Sequence, residues 1–246
     1  MKNNIVKNSS KSTAMVYAIT LAVSVLAMPL AQASSKDDPV LTKFMLDKFE
    51  IRKADGSNPL VWEGEAWIGQ DLNKLWFKSE GERVDGKIEA SETELLYSRA
   101  IAPFWDAQVG IRHDEVEDES RDYATVGIKG LAPYYFETDA SVSFGKNGQT
   151  KLNASAEYEL MLTQKLVLSP EIEFNAYGKD DIAMGVGSGL SNIEAGLRLR
   201  YEIKREFAPY IGVNWNKKFG TTADIALEQG SDVSDTQLVA GIRAWF

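Results

Sequence analysis

Residues 193–203 read IEAGLRLRYEI. In an extended chain, Ile193, Ala195, Leu197, Leu199, Tyr201 and Ile203 fall on one side. Glu194, Gly196, Arg198, Arg200 and Glu202 fall on the other. A period of two is the signature of a β-strand with two unlike faces. Residues 152–162 repeat it: Leu152, Ala154, Ala156, Tyr158, Leu160 and Leu162 alternate with Asn153, Ser155, Glu157 and Glu159. So does the closing VAGIRAWF, whose last residue, Phe246, shares a side with Leu238, Ala240, Ile242 and Ala244. Strand-like runs recur at about 42–53, 59–69, 73–83, 87–100, 103–114, 121–130, 133–145, 149–163, 165–177, 190–203, 206–218 and 236–246. Each is close to the roughly 9–11 residues with which a tilted strand crosses a bilayer. In the first and third runs the alternation is less clean, and their parity is not readable.

The connections fall into two sets. QDLN, AIAP, LAP, TQ and REFAP are short. HDEVEDESRD, YGKDDIAMGVGSGLS and GTTADIALEQGSDVS are longer and polar. Three short ones hold Ala-Pro before an aromatic residue, at Pro103, Pro133 and Pro209, which suits a turn or a strand's first residue. Short turns on one side and long loops on the other predict an all-β fold: a transmembrane antiparallel β-barrel of the outer-membrane type with about twelve strands. A soluble sandwich or lipocalin-like barrel would turn the apolar faces inward, but no run resembles the apolar filling of a small barrel. An even strand number puts both termini on the short-turn, periplasmic side, with Phe246 facing lipid in an aromatic girdle.

The N-terminus agrees. Lys2, Lys7 and Lys11 precede an apolar run from Ala14 to Leu30, followed by Ala31-Gln32-Ala33. This is the pattern of a secretory signal peptide, assigned to residues 1–33 with Sec-type export. Residues 34–40 then form a short periplasmic segment and 41–246 the barrel, in the outer membrane of a Gram-negative bacterium. After residue 33 no apolar stretch is long enough for a spanning helix. Removing the leader's three lysines takes the formal net charge from −9 to −12, which argues against a nucleic-acid partner. The chain has no cysteine and so offers no thiolate for catalysis or metal binding.

With the apolar faces toward lipid, the polar faces line a lumen. Parity places Glu63, Glu65, Glu92, Glu94, Asp106, Glu137, Asp139, Glu157, Glu159, Glu171, Glu173, Glu194 and Glu202 inside. The matching bases are Arg112, Lys129, Arg198, Arg200, Lys218 and Arg243, an acid excess of about two to one. Such a lumen can be a salt-bridged filling, or its surplus carboxylates can attract cations. Glu157 with Glu159, and Glu171 with Glu173, lie two apart on one face, so each pair could share a cation. The single histidine, His113, lies among Asp114, Glu115, Glu117 and Asp118, a modest oxygen-rich metal site or a solvated acidic run. An outer-membrane lipid hydrolase would need Ser120 and His113 with Asp114 or Asp122 as the orienting group, and no local motif supports it. The chain is read as a non-enzyme, with a general small-solute channel or a structural barrel as the main alternative.

Several stretches resemble the copper resistance protein B family: WIGQDLNKLWFKSEGE (67–82), LLYSRAIAPFWDAQVGIRHD (95–114), YATVGIKGLAPYYFETDA (123–140), EYELMLTQKLVLSPEIEFNAYGKDD (157–181), GVGSGLSNIEAGLRLRYEIKREFAPYIGVNW (185–215) and the closing GIRAWF. The resemblance implies an outer-membrane barrel of copper homeostasis that binds or passes copper ions and works beside a periplasmic copper protein. Family members often carry a Met- and His-rich segment before the barrel. Here residues 34–44 hold neither, and beyond the leader only Met45, Met161 and Met184 remain. Thioethers favour Cu(I), but three scattered methionines make no chelating tract. Parity puts Met161 in the lumen beside Glu159, and Met184 falls in a Gly-rich external loop. The expected copper-contacting residues are therefore His113, Asp114, Glu115, Glu157, Glu159, Met161, Glu171 and Glu173.

Overall fold

The computed structural model describes residues 39–53 and 58–246. The expected signal peptide, and the segment after it up to residue 38, lie outside them. Thirteen strand segments form one sheet: β1 (Leu41–Lys53), β2 (Leu60–Gly69), β3 (Asn73–Val84), β4 (Lys87–Ala102), β5 (Trp105–Val116), β6 (Glu119–Ala132), β7 (Phe136–Gly145), β8 (Thr150–Glu157), β9 (Leu160–Met161), β10 (Leu166–Tyr177), β11 (Gly189–Tyr201), β12 (Phe207–Lys218) and β13 (Ser234–Trp245). Each pairs antiparallel with its neighbours, β10 joins β11, and β13 pairs with β1, so the sheet closes on itself. Closure leaves no sheet edge for lipid to meet.

β8 and β9 are one stave, which makes twelve staves in all. Glu157 faces Glu171 and Leu160 faces Leu168, the same register on both sides of the gap. The gap sits opposite Pro170, which has no N–H to donate. Tyr158 donates to the Pro170 carbonyl at 3.0 Å and can receive nothing back.

The barrel is apolar outside and charged inside. On β11, Leu197 is 47% exposed while Arg198 and Arg200 are 5% and 4% exposed. Of the helices in the described residues, none is long and apolar enough to cross a membrane. The staves do the crossing, and their backbone groups are satisfied by neighbours.

Three expectations are corrected. HDEVEDESRD is not a long loop: β5 and β6 run through it to a two-residue turn at Glu117-Asp118. Asp114 faces Arg121 and His113 faces Asp122, so opposite charges continue the ladder. Pro209 is not in a turn but inside β12, opposite Ile242 on β13 and one residue beyond the last β11–β12 pair, where the ladder asks for no donor. The stretch after Phe219 holds a helix, α1 (Gly220–Glu228), which buries Thr222, Ile225 and Ala226, a spacing that makes one helical face.

Candidate functional site: an acidic chamber inside the barrel

Register sets the lumen's chemistry. Glu63, Glu80 and Glu92 are direct cross-strand neighbours on β2, β3 and β4. Glu137, Glu157 and Glu171 are neighbours in the same way on β7, β8 and β10. Cross-strand neighbours have Cβ atoms about 4.5–5.5 Å apart, and like charges there destabilise a sheet. Two such rows stand on separate arcs of the ring, far apart in stave order.

Bases span the space between the walls. The Lys48 ammonium lies 2.7 Å from Glu63 and 2.6 Å from Glu171, joining one end of each row. Arg198 meets Glu171 at 2.8 Å, and Arg52 meets Glu194 at 3.0 Å. Lys78 reaches Asp139 at 2.6 Å, and Lys129 pairs with Glu65 while its ammonium lies 4.6 Å from the centre of the Trp76 ring. Lys48–Glu171, Arg52–Glu194, Lys78–Asp139 and Lys129–Glu65 tie staves that are not neighbours in the ring, so they brace the lumen as well as neutralise it.

A cavity of about 300 Å³ remains between the rows. Eleven of its lining residues are Asp or Glu, against Lys78, Arg112 and Lys129 as bases. All six carboxylates of the two rows line it. Among the described residues, Glu80 and Glu173 have no Lys or Arg in ion-pair contact; Glu173 accepts hydrogen bonds from Asn153 at 2.9 Å and Asn175 at 2.8 Å. Met45 supplies one thioether to the lining. The donor set is therefore mostly carboxylate oxygen, which holds divalent ions without the selectivity of imidazole or thiolate.

At the long-loop end the chain folds over. Asp181, in the β10–β11 connection, accepts from Arg121 of β6 at 2.8 and 3.0 Å and from Gln149 in the β7–β8 turn. The hydrogen bonds from Arg121 hold the Asp181 carboxyl below the usual aspartate range. The Ser188 backbone N–H does the same for Asp180. The Gly187 N–H donates to Thr222 of α1, and Thr222 donates to Ser191. Met184 is buried within this cap, not held on a free loop.

The structure separates the residues singled out by sequence. Glu157, Glu171 and Glu173 line the chamber. Glu159 lies outside its lining and is held by Arg200 and Arg243, each at 2.6 Å. Met161 sits at the short-turn end, 63% exposed. Asp114 points inward to Arg112 at 2.6 Å and Lys151 at 3.2 Å. His113 points outward, and its Nδ1 lies 2.7 Å from Asp122. Glu115 faces Ser120 across the hairpin. Among the described residues, no group of three or more His, Cys, Asp or Glu is arranged to hold a metal ion as a formed site. Sequence reasoning missed Lys48, Glu50, Arg52 and Met45 on β1, Lys74, Lys78 and Glu80 on β3, and Lys151 on β8. For Lys151 the signal was present: it continues the parity of Asn153 and Ser155.

The model of the family described as "Copper resistance protein B precursor" matches residues 40–246. A protein named copper resistance protein B, from Escherichia coli, is 44% identical over 202 residues, covering 82% of this chain and 68% of its own. A copper resistance protein B homolog from Pseudomonas syringae pv. tomato is 42% identical over 210 residues, covering 85% and 71%. Among solved structures, the NanC porin superposes with a TM-score of 0.54 at 10% identity, over 83% of this chain and 99% of that one. That likeness concerns the fold alone.

Proposed function

The chain belongs to the copper resistance protein B family, and from that premise we propose that its barrel takes copper ions into the acidic chamber and passes them by weak binding at several carboxylates. The observation that carries this reading is the pair of carboxylate rows, Glu63–Glu80–Glu92 and Glu137–Glu157–Glu171, facing a cavity with few bases. Side-by-side acids cost stability, so a barrel that needed only a filled lumen gains nothing from them. A mobile cation between the rows offsets that repulsion. Passage requires sites favourable enough to enter and weak enough to leave. Carboxylates with one thioether meet that requirement better than a histidine or cysteine cage, which would trap the ion.

The test is a titration of the barrel refolded in detergent with Cu(I), Cu(II) and zinc, repeated on Glu80→Gln/Glu173→Gln. Neither residue carries an ion pair, so the double variant keeps the braces. Copper affinity is expected to fall on the order of tenfold, the equivalent of about 1.4 kcal/mol. Unchanged binding would remove the chamber from the copper pathway.

A further inference from the structure

The two ends of the chamber are built differently. At the short-turn end its lining includes Phe104, from the β4–β5 turn, and Leu131 near the end of β6. Toward the loop end the lining stops at Glu92 and Arg112. The next layer, Asp114 and Lys151, is 4% and 2% exposed and forms no part of the cavity. Lys151, on β8, reaches Glu92 on β4 and lies 3.2 Å from Asp114 on β5. The Arg112 guanidinium pairs with Glu92, meets Glu94 at 3.2 Å and Asp114 at 2.6 Å. These contacts span β4 to β8, a chord across the ring. Beyond this layer sits the cap tied by Arg121, Gln149 and Asp181.

Side chains that fill a layer and satisfy one another's charges close the path, and an ion passes only where these ion pairs open. Below the layer the acids dominate. In barrels of this type the short turns face the periplasm.

We infer that the chamber is loaded from its periplasmic end, and that the Arg112–Lys151 layer is the barrier separating it from the outside. This rests on the copper reading for its cargo but not for its geometry. Copper would enter past Phe104 and Leu131, occupy the carboxylate rows, and leave outward only when Lys151 gives up Glu92 and Asp114.

The chain has no cysteine, so a single one reports cleanly. Ser155→Cys places a thiol in the chamber wall. The probe is a membrane-impermeant trimethylammonium methanethiosulfonate, itself a cation, applied either to intact cells or from the periplasmic side of permeabilised cells. Labelling from the periplasmic side is expected to be faster by on the order of tenfold or more. Adding Lys151→Gln is expected to raise the outside rate toward the periplasmic one. Equal rates from both sides, or faster labelling from outside, in Ser155→Cys alone would overturn the loading side. An outside rate unmoved by Lys151→Gln in a barrel with normal heat-modifiable mobility would overturn the barrier assignment. If that variant does not fold, Arg112→Gln replaces it. Labelling confined to the periplasmic side, in a barrel that binds no copper, would keep the geometry and discard the cargo.

Discussion

Arg198 grips Glu50 with two parallel hydrogen bonds, Nε to Oε2 and Nη2 to Oε1, both 2.9 Å long, although 148 residues separate them. Glu50 is fully buried and also accepts from the Tyr210 hydroxyl at 2.9 Å. A bidentate guanidinium–carboxylate pair is among the stronger polar contacts a protein makes. Arg198→Met would leave the Glu50 charge buried with Arg52 as its one remaining basic partner, at a cost of about 3–5 kcal/mol. Arg198→Met with Glu50→Gln should recover part of that loss. Urea unfolding followed by tryptophan fluorescence would show it; equal midpoints for wild type and the single variant would contradict the brace.

His113 and Asp114 are neighbours in the chain and opposites in the barrel. The His113–Asp122 pair is surface-exposed, so His113→Ala should change stability by less than about 1 kcal/mol. Asp114→Ala takes one buried carboxylate from Arg112 and Lys151, which keep Glu92, and should cost more, about 1.5–3 kcal/mol. Comparable losses from the two substitutions would show that the hairpin does not hold this register.

Lys48 already occupies the position of a cation between the rows, bound to Glu63 and Glu171. Lys48→Gln should lower barrel stability and, in the barrel that remains folded, tighten copper binding on the order of tenfold, about 1.4 kcal/mol. Titration of the variant beside the wild type reads both effects. Weaker copper binding would mean that Glu63 and Glu171 are not part of the ion's path.

The cap has its own pH dependence. The Asp181 carboxyl is depressed below its ordinary value of 3.8 by the Arg121 hydrogen bonds. A depressed carboxylate adds stability above its unfolded value, and that stability is lost as pH falls through the folded one. Hydrogen exchange in residues 178–188 should therefore be as slow at pH 6 as at pH 5 and speed up below about pH 3.8, beyond the intrinsic change in exchange chemistry. Asp181→Asn should show the fast pattern already at pH 6. An unchanged pattern in that variant would mean the tether does not order the connection.

The outward faces were legible because lipid imposes a strict alternation, as on β11 and β8. β1 was not, because its register shifts after Leu46 on both sides. That bulge brings Asp47 and Lys48, consecutive residues, to the same lumen. β3 was hidden differently: Ser79, Gly81 and Arg83 make its outer half polar on both faces, with a further shift at Arg83. These two staves carry Lys48, Arg52, Lys74 and Lys78, so sequence reading counted the acids more fully than the bases. The chords that pair Lys48 with Glu171, or Lys78 with Asp139, depend on ring geometry, which no local pattern encodes. The acid excess was nonetheless real, and the fold concentrates it in one chamber. Of the loop stretches, α1 was in principle readable from the spacing of Thr222, Ile225 and Ala226, but Gly220 and the lack of a capping side chain gave no start signal.

Phe246 and Phe44 exchange backbone hydrogen bonds at 2.9 and 3.0 Å, so the final residue seals the seam between the first and last staves. Lys48–Glu171 and Glu50–Arg198 join that first stave to β10 and β11, near the other end of the chain. Both contacts reach across the seam, so the closure that pairs β13 with β1 also completes these ion pairs. Closing the ring and neutralising its interior are therefore one event.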